Sequence, residues 1–428
     1  MLHLLPLMAA LAAHPAHAQA DKTAELERKL DVLTQEVEKL KVNGGSTPAS
    51  TVPGRLGIPE ALTNKLSLGG YGEINAYMPS RKKQNGDASG ARKTTSLQRF
   101  VLAGEYRWTD AWSLRFELEA ENAGSGEGSE ERGEVEMEQA YVEYRHADWL
   151  KARAGHMLVP MGLVSIYHEP PFFHGVRRPS VETSIIPSTW HENGAGIAGR
   201  WNMVDYQTYV FAGLKSIDRG GAPKVDGFSG SNAIRGGRQE GSNSFMEDLA
   251  WVGRVDLKPV AGALVGGSLY VGQADQGLIG PSVPVSLWET HADLNWKGAE
   301  LRGLYAQGKI GNADSLNAAR VADDATFTDF VGSKFWGGYV QAAYNVFTLC
   351  PKGTPQYLAP FFRYERYDTQ GKTPNGFAGD PANRRVEYTL GLTYKPIPQL
   401  ALKVDQQWLR NQARTGVNQW NLGVGFIF

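Results

Sequence analysis

The connection over residues 158–192, LVPMGLVSIYHEPPFFHGVRRPSVETSIIPSTWHE, gathers His168, Glu169, His174, Arg177, Arg178 and Glu192 among prolines and aromatics. Imidazoles, carboxylates and guanidiniums set this close together can sort small charged solutes by electrostatics. The segment is too apolar and too proline-rich for a floppy external loop, and long structureless connections in compact folds usually carry function. It is expected to fold inward, with Ile166, Phe172 and Phe173 packed on a wall and the charged set facing a pore. The competing reading pairs Arg177 and Arg178 with Glu182 and Glu192, which would only staple the loop.

Signatures of catalysis and cofactor binding fail on their context. Gly194, Gly196 and Gly199 match G-x-G-x-x-G, but the flanking TWHEN and RWNMVDYQTYVF do not make the buried strand and helix that a dinucleotide site needs. Small residues packing beneath the folded loop are the better explanation. His168-Glu169 is followed by Phe172 where a zinc protease would have its second His, and no G-x-S-x-G elbow frames a serine. The acidic run Glu127, Glu130, Glu131 and Glu134 does not follow calcium-loop spacing and suits a solvated loop. The single cysteine, Cys350, excludes an internal disulfide. No metal, cofactor or enzymatic role is expected, and a net charge of −1 does not support nucleic-acid binding.

The elements that must carry these charges are strands. No run of about eighteen apolar residues could make a membrane-spanning helix, yet 50 Gly, 17 Tyr, 16 Phe and 11 Trp suit strands, tight turns and aromatic girdles. From residue 66 the chain divides into sixteen segments of alternating polarity, near 66–77, 95–108, 112–121, 135–145, 149–157, 193–201, 206–214, 247–257, 263–272, 285–296, 300–310, 334–347, 357–367, 385–394, 400–410 and 417–428. Long polar connections alternate with short ones such as Thr109-Asp110-Ala111, the pattern of a barrel with long loops at one rim and tight turns at the other. Within segment 112–121, Trp112, Leu114, Phe116 and Leu118 alternate with Ser113, Arg115, Glu117 and Glu119. Sixteen strands enclose a wide, watery lumen lined by charge. Inward positions are Arg99, Glu105, Arg107, Arg115, Lys151, Arg153, Arg254, Asp256, Arg363, Glu365, Lys403 and Asp405, and the basic ones tilt the expectation towards anions.

The ends frame this barrel. Residues 1–20 run through an apolar segment to Ala16-His17-Ala18 and Ala18-Gln19-Ala20, either of which suits signal cleavage, although no Lys or Arg follows Met1. In residues 21–42, Leu26, Leu30, Leu33, Val37 and Leu40 are spaced as heptads, so a short coiled-coil helix is expected, or else a single amphipathic helix lying on the barrel. Residues 43–62 are linker-like. The final stretch VNQWNLGVGFIF alternates to the terminal Phe428, and a strand left uncovered there would expose its backbone. Pairing with the first strand would close the barrel.

Taken with LGGYGEINAY in the opening strand, GHMLVPMGL before the third long loop, the heptads and Phe428, the sequence resembles the trimeric sixteen-stranded bacterial outer-membrane porins of the phosphate-selective and dicarboxylate type. The resemblance implies a transmembrane antiparallel β-barrel over 63–428 with an inward-folded constriction loop at about 158–192. It further implies a homotrimer in the outer membrane, a periplasmic coiled coil, Phe428 as assembly signal and passive diffusion of small hydrophilic anions. Phosphate-specific members carry lysines on the third loop, whereas this loop has Arg177 and Arg178 but no lysine. An outer-membrane barrel enzyme and a non-conducting structural or adhesive barrel are the alternatives.

Overall fold

The computed structural model describes residues 65–122, 133–219, 221, 225–350 and 354–428. The expected signal segment 1–20, heptad helix 21–42, linker 43–62 and carboxylates Glu127, Glu130 and Glu131 lie outside the described residues.

Sixteen strands, each antiparallel to its neighbours, close into a single barrel. They are β1 (Leu66–Pro79), β2 (Thr94–Arg107), β3 (Trp112–Glu121), β4 (Val135–Ala147), β5 (Leu150–Leu158), β6 (His191–Trp201), β7 (Val204–Ala212) and β8 (Leu249–Leu257). The second half comprises β9 (Ala263–Gln273), β10 (Pro284–Trp296), β11 (Ala299–Ile310), β12 (Lys334–Tyr344), β13 (Tyr357–Lys372), β14 (Arg384–Ile397), β15 (Leu400–Asn411) and β16 (Gln419–Ile427). The number and order of strands agree with the reading from the sequence, and boundaries shift by a few residues. Closure is made by β1 and β16, in register from Tyr71 opposite Ile427 to Pro79 opposite Gln419. Beyond that, Gly70 and Phe428 exchange two backbone hydrogen bonds of 2.9 Å.

Alternation decides which face each residue takes. On β16 Trp420, Leu422 and Val424 are exposed on the outside, whereas Gln419, Asn421, Gly423 and Gly425 are buried inside. The same rule leaves Ile74, Phe100, Leu118, Val265, Val340 and Leu390 on the outer surface. Exposed Trp112, Trp149, Trp201 and Trp296 stand beside the short turns, and Trp251, Trp288 and Trp420 towards the other rim. A continuous apolar belt with an aromatic band at each edge is a surface built for lipid rather than water.

The lumen departs from the expectation of a watery, uniformly charged interior. Three long connections enter it: L3 (159–190), with the single-turn helix α1 (Val181–Ser184), L4 (213–248), and L6 (311–333), with helix α2 (Ala313–Asp323). Val181, Ile185 and Trp190 of L3, Ile217, Phe228 and Ile234 of L4, and Leu316 of α2 are all but fully buried. They form one apolar core with Phe211, Tyr270, Leu287, Phe335 and Tyr339 on the inner face of β7 to β12. Alternation says which residues face inward, but not whether they meet water or a folded loop. The glycines of the 194–199 motif belong to this packing. A Cβ on Gly194 would come within 2.4 Å of the Phe211 ring, and one on Gly196 within 2.6 Å of that of Tyr209, so they make room for aromatics on β7.

The seam yields a test. Deleting Phe428 removes its paired hydrogen bonds to Gly70 and its stacking on Phe100, with ring centroids 5.6 Å apart. The loss is about 2–4 kcal/mol, localised at the closing strand. The truncated chain is expected to give a lower yield of compact, heat-modifiable barrel on electrophoresis, and a yield equal to the parent's would contradict this role.

Candidate channel constriction

L3 has too few residues in regular structure to satisfy its own backbone, and buried N–H and C=O groups must find partners. The barrel wall supplies them. Arg254 Nη1 donates to the Gly162 carbonyl at 2.5 Å, Lys403 Nζ to that of Gly175 at 2.9 Å, and Arg363 to those of His174 and Arg177 at 3.2 and 3.3 Å. In the other direction, the Val176 amide donates to Asp405 at 2.7 Å, the Val181 amide to Glu365 at 3.1 Å and the Ser180 hydroxyl to Glu387 at 2.6 Å. L3 is thereby strapped to β8 and β13 to β15. The expectation that Arg254, Arg363 and Lys403 line an open pore is corrected: they point inward, but all three are buried under the loop they hold.

The loop also braces itself. Glu182 accepts the Leu163 and Val164 amides, both at 2.7 Å, and the Tyr339 hydroxyl at 2.6 Å. Burial pushes its carboxyl above the usual range, against hydrogen bonds that favour the charged form. His174 bridges Thr393 and Glu300, each at 3.0 Å, and burial lowers its pKa against the pull of Glu300. Arg178 donates to Ser188 at 2.6 Å and to the His168 carbonyl at 3.4 Å. Glu192, at the start of β6, accepts from Trp190 and the Gln239 amide. The stapling of Arg177 and Arg178 to Glu182 and Glu192 is therefore not what holds L3. Of the residues expected on the wall side, Phe173 is buried beneath Lys403, whose Nζ lies 3.7 Å from its ring centroid. Ile166 and Phe172 instead border a cavity.

Two spaces remain, on opposite sides of L3. On the turn side, a cavity of about 380 Å³ is bordered by Arg115, Glu117, Arg153, His168, Glu169 and Tyr209. Its cations are paired: Arg153 with Glu143 at 2.7 Å, Arg115 with Glu105 at 3.6 Å, and Arg107 nearby with Glu105 at 3.0 Å. Lys151 lies half-buried on β5. On the loop side, a vestibule of about 470 Å³ is bordered by Arg92, Arg177, Arg385 and Arg410, with Glu387 the one carboxylate among the described residues that border it. Arg177 is exposed there, its guanidinium 5.3 Å from the centroid of the Tyr77 ring.

Between the two spaces lies a layer of charge that the sequence only half revealed. Arg99 reaches Glu73 at 2.9 Å, Glu119 at 3.2 Å and Glu121 at 3.3 Å. Glu117, Glu119 and Glu138 are buried on the same side of the lumen. The inward phase of β1 and β3 could have disclosed Glu73, Glu117 and Glu119. Glu138 was hidden by a break in register, since Glu117 pairs with Gln139 and Leu118 with Met137, leaving Glu138 as the extra residue of a bulge.

Replacing Glu182 by Ala orphans two amides of L3 and the Tyr339 hydroxyl of β12, each costing about 1–3 kcal/mol. Added protease is expected to cut within 159–190 much faster in that variant while the barrel persists; unchanged resistance would show that the bracing is redundant.

No family model matches this sequence. It is 32% identical over 343 residues to an uncharacterized protein of Aquifex aeolicus, an alignment covering 79% of this chain and 74% of that one. Among solved structures, similar folds are OmpF of Salmonella typhi in complex with daunomycin (TM-score 0.55, 15% identity, 85% of this chain and 97% of that one) and the outer-membrane channel DcaP of Acinetobacter baumannii (0.53, 11%, 85% and 97%). A loop L8 deletion mutant of OmpT, an outer-membrane protein of Vibrio cholerae, is similar too (0.51, 10%, 85% and 99%). At these identities the structures speak for the fold alone, a closed barrel shared with these outer-membrane proteins, and by its sequence the chain belongs to one family with the Aquifex aeolicus protein.

Proposed function

We propose that the chain is a passive outer-membrane channel for small hydrophilic solutes, with a preference for anions. The observation that carries the preference is the loop-side vestibule, bordered among the described residues by four arginines and one carboxylate. That carboxylate, Glu387, already accepts from Ser180 and Tyr367, each at 2.6 Å, so it does little to repel an anion. Guanidiniums hold carboxylate and phosphate alike through paired hydrogen bonds, so the solute class is small anions of either chemistry. The apolar belt supports a barrel set in lipid, and on this reading the tight turns are periplasmic and the arginine vestibule is outside. A solute would enter past Arg177, pass the layer of Arg99, Glu73 and Glu119, and leave through the cavity lined by Arg115 and Arg153. The heptad segment 21–42 and the resemblance noted from the sequence support a homotrimer, which light scattering in detergent would test.

The apolar core across part of the lumen favours a second reading, a barrel that does not conduct and serves a structural role. Reconstitution into planar bilayers separates the two. Stepwise ohmic conductance, with a reversal potential of anion sign in a salt gradient, is expected, whereas silence at every voltage would leave the structural reading. Arg92→Ala and Arg177→Ala together should lower the anion-to-cation permeability ratio by about threefold or more, since each charge contributes of order 0.5–1 kcal/mol in a hydrated vestibule. The effect should shrink as salt rises from 0.1 M to 1 M and the screening length falls from about 10 to 3 Å. An unchanged ratio at low salt would remove the arginines from selectivity.

A further inference from the structure

We propose that Glu117, Glu138 and His168 form a binding site for a divalent transition-metal cation of the zinc or manganese class, which bolts L3 to the β3–β4 wall. Their ligand atoms, one carboxylate oxygen from each Glu and one ring nitrogen of His168, all lie within 4.8 Å of one another. The residues are 7%, 0% and 4% exposed. Ligands about 2.0–2.2 Å from one ion stand up to about 4 Å apart, so small side-chain rotations close this set on a cation.

The site is marked by what its groups lack. Both oxygens of Glu138 and Nε2 of His168 are buried with no donor to meet them, the side chain against Glu138 being the carboxyl of Glu119. Nδ1 of His168 faces the Ser165 carbonyl at 3.1 Å, which fixes the proton there and leaves the Nε2 lone pair free. That lone pair stands 3.5 Å from Glu117 Oε1, while the other Glu117 oxygen accepts from Gln139. The β4 bulge sets Glu138 and Gln139 against the single residue Glu117, so one strand supplies both a ligand and the amide that orients the opposing ligand. Of the cations by this wall, Arg99 is engaged by Glu73, Glu119 and Glu121, and Arg178 of L3 by Ser188 and the His168 carbonyl. Two buried carboxylates and an open imidazole nitrogen form an electrostatic debt that one divalent ion cancels. One nitrogen and two oxygens suit a borderline metal better than calcium or magnesium. The ion would fasten the end of L3 that Arg363 and Lys403 do not reach.

The test needs no conductance. Purified full-length protein in detergent, stripped with a chelator and dialysed, is titrated with zinc chloride and manganese chloride, with elemental analysis for stoichiometry. Saturable uptake of one ion per chain is expected. Glu138→Gln and His168→Ala should each weaken it by more than about 100-fold, beyond the effect of losing an outer partner, while His146→Ala at an exposed turn should not. Circular dichroism and heat-modifiable mobility confirm the barrel in each variant, and Glu117→Gln, which keeps the shape and lies outside the neighbouring Glu119, Glu136 and Glu138 group, decides the matter if His168→Ala does not fold. Absence of saturable uptake by the parent, the result if Glu138 simply holds a proton, overturns the proposal. Uptake undiminished in the folded variants overturns it equally.

Discussion

Every backbone amide and carbonyl of a lipid-facing strand must be paired, because the bilayer offers no water to pair it. The rest of this molecule follows from that constraint. A single unpaired edge would expose a column of polar groups to hydrocarbon, so β16 must return to β1, and in a chain of hairpins this brings both ends of the barrel to one rim. Short turns then gather at that rim and long connections at the other. Each strand in turn has to show lipid one face, which is why Trp420, Leu422 and Val424 sit outside while their neighbours are free to be polar or small.

The same demand recurs inside the barrel at a smaller scale. L3, L4 and L6 leave water without the regular hydrogen bonding that a strand provides, and the wall answers with charged side chains. Arg254, Arg363 and Lys403 are held by carbonyls of L3, and Asp405 and Glu365 by its amides. Lumenal charge therefore has two uses that look alike in a sequence. Cations buried against the loop are posts, and only those left beside open space, such as Arg177, can act on a passing ion.

This division leaves an asymmetric path. The outer vestibule is rich in arginine, and the layer beneath it sets Arg99 against a bank of carboxylates on β1, β3 and β4. In the proposed channel, an anion drawn in by the first would meet a mixed field at the second, which would assign attraction and discrimination to different layers. In the lower cavity the cations are paired, Arg153 with Glu143 and Arg115 with Glu105.

The sequence by itself determined the strand count, the closing partner of β16 and the lipid face, because each rests on a two-residue period or on turn spacing carried by the chain locally, while the inward fold of the third loop was legible in its apolar, proline-rich composition. It also picked out His168, His174 and Arg178 and expected them to address a pore, whereas His174 is held between Thr393 and Glu300 and Arg178 donates to Ser188. It could not say that Arg363 and Lys403 would be buried, that Phe211, Tyr270 and Leu287 would meet L3 and L4 rather than water, or that Glu138 would sit beside His168. Those outcomes depend on residues far apart in the chain occupying the same volume. A period of two specifies which way a side chain points, and only the folded loops decide what it meets there.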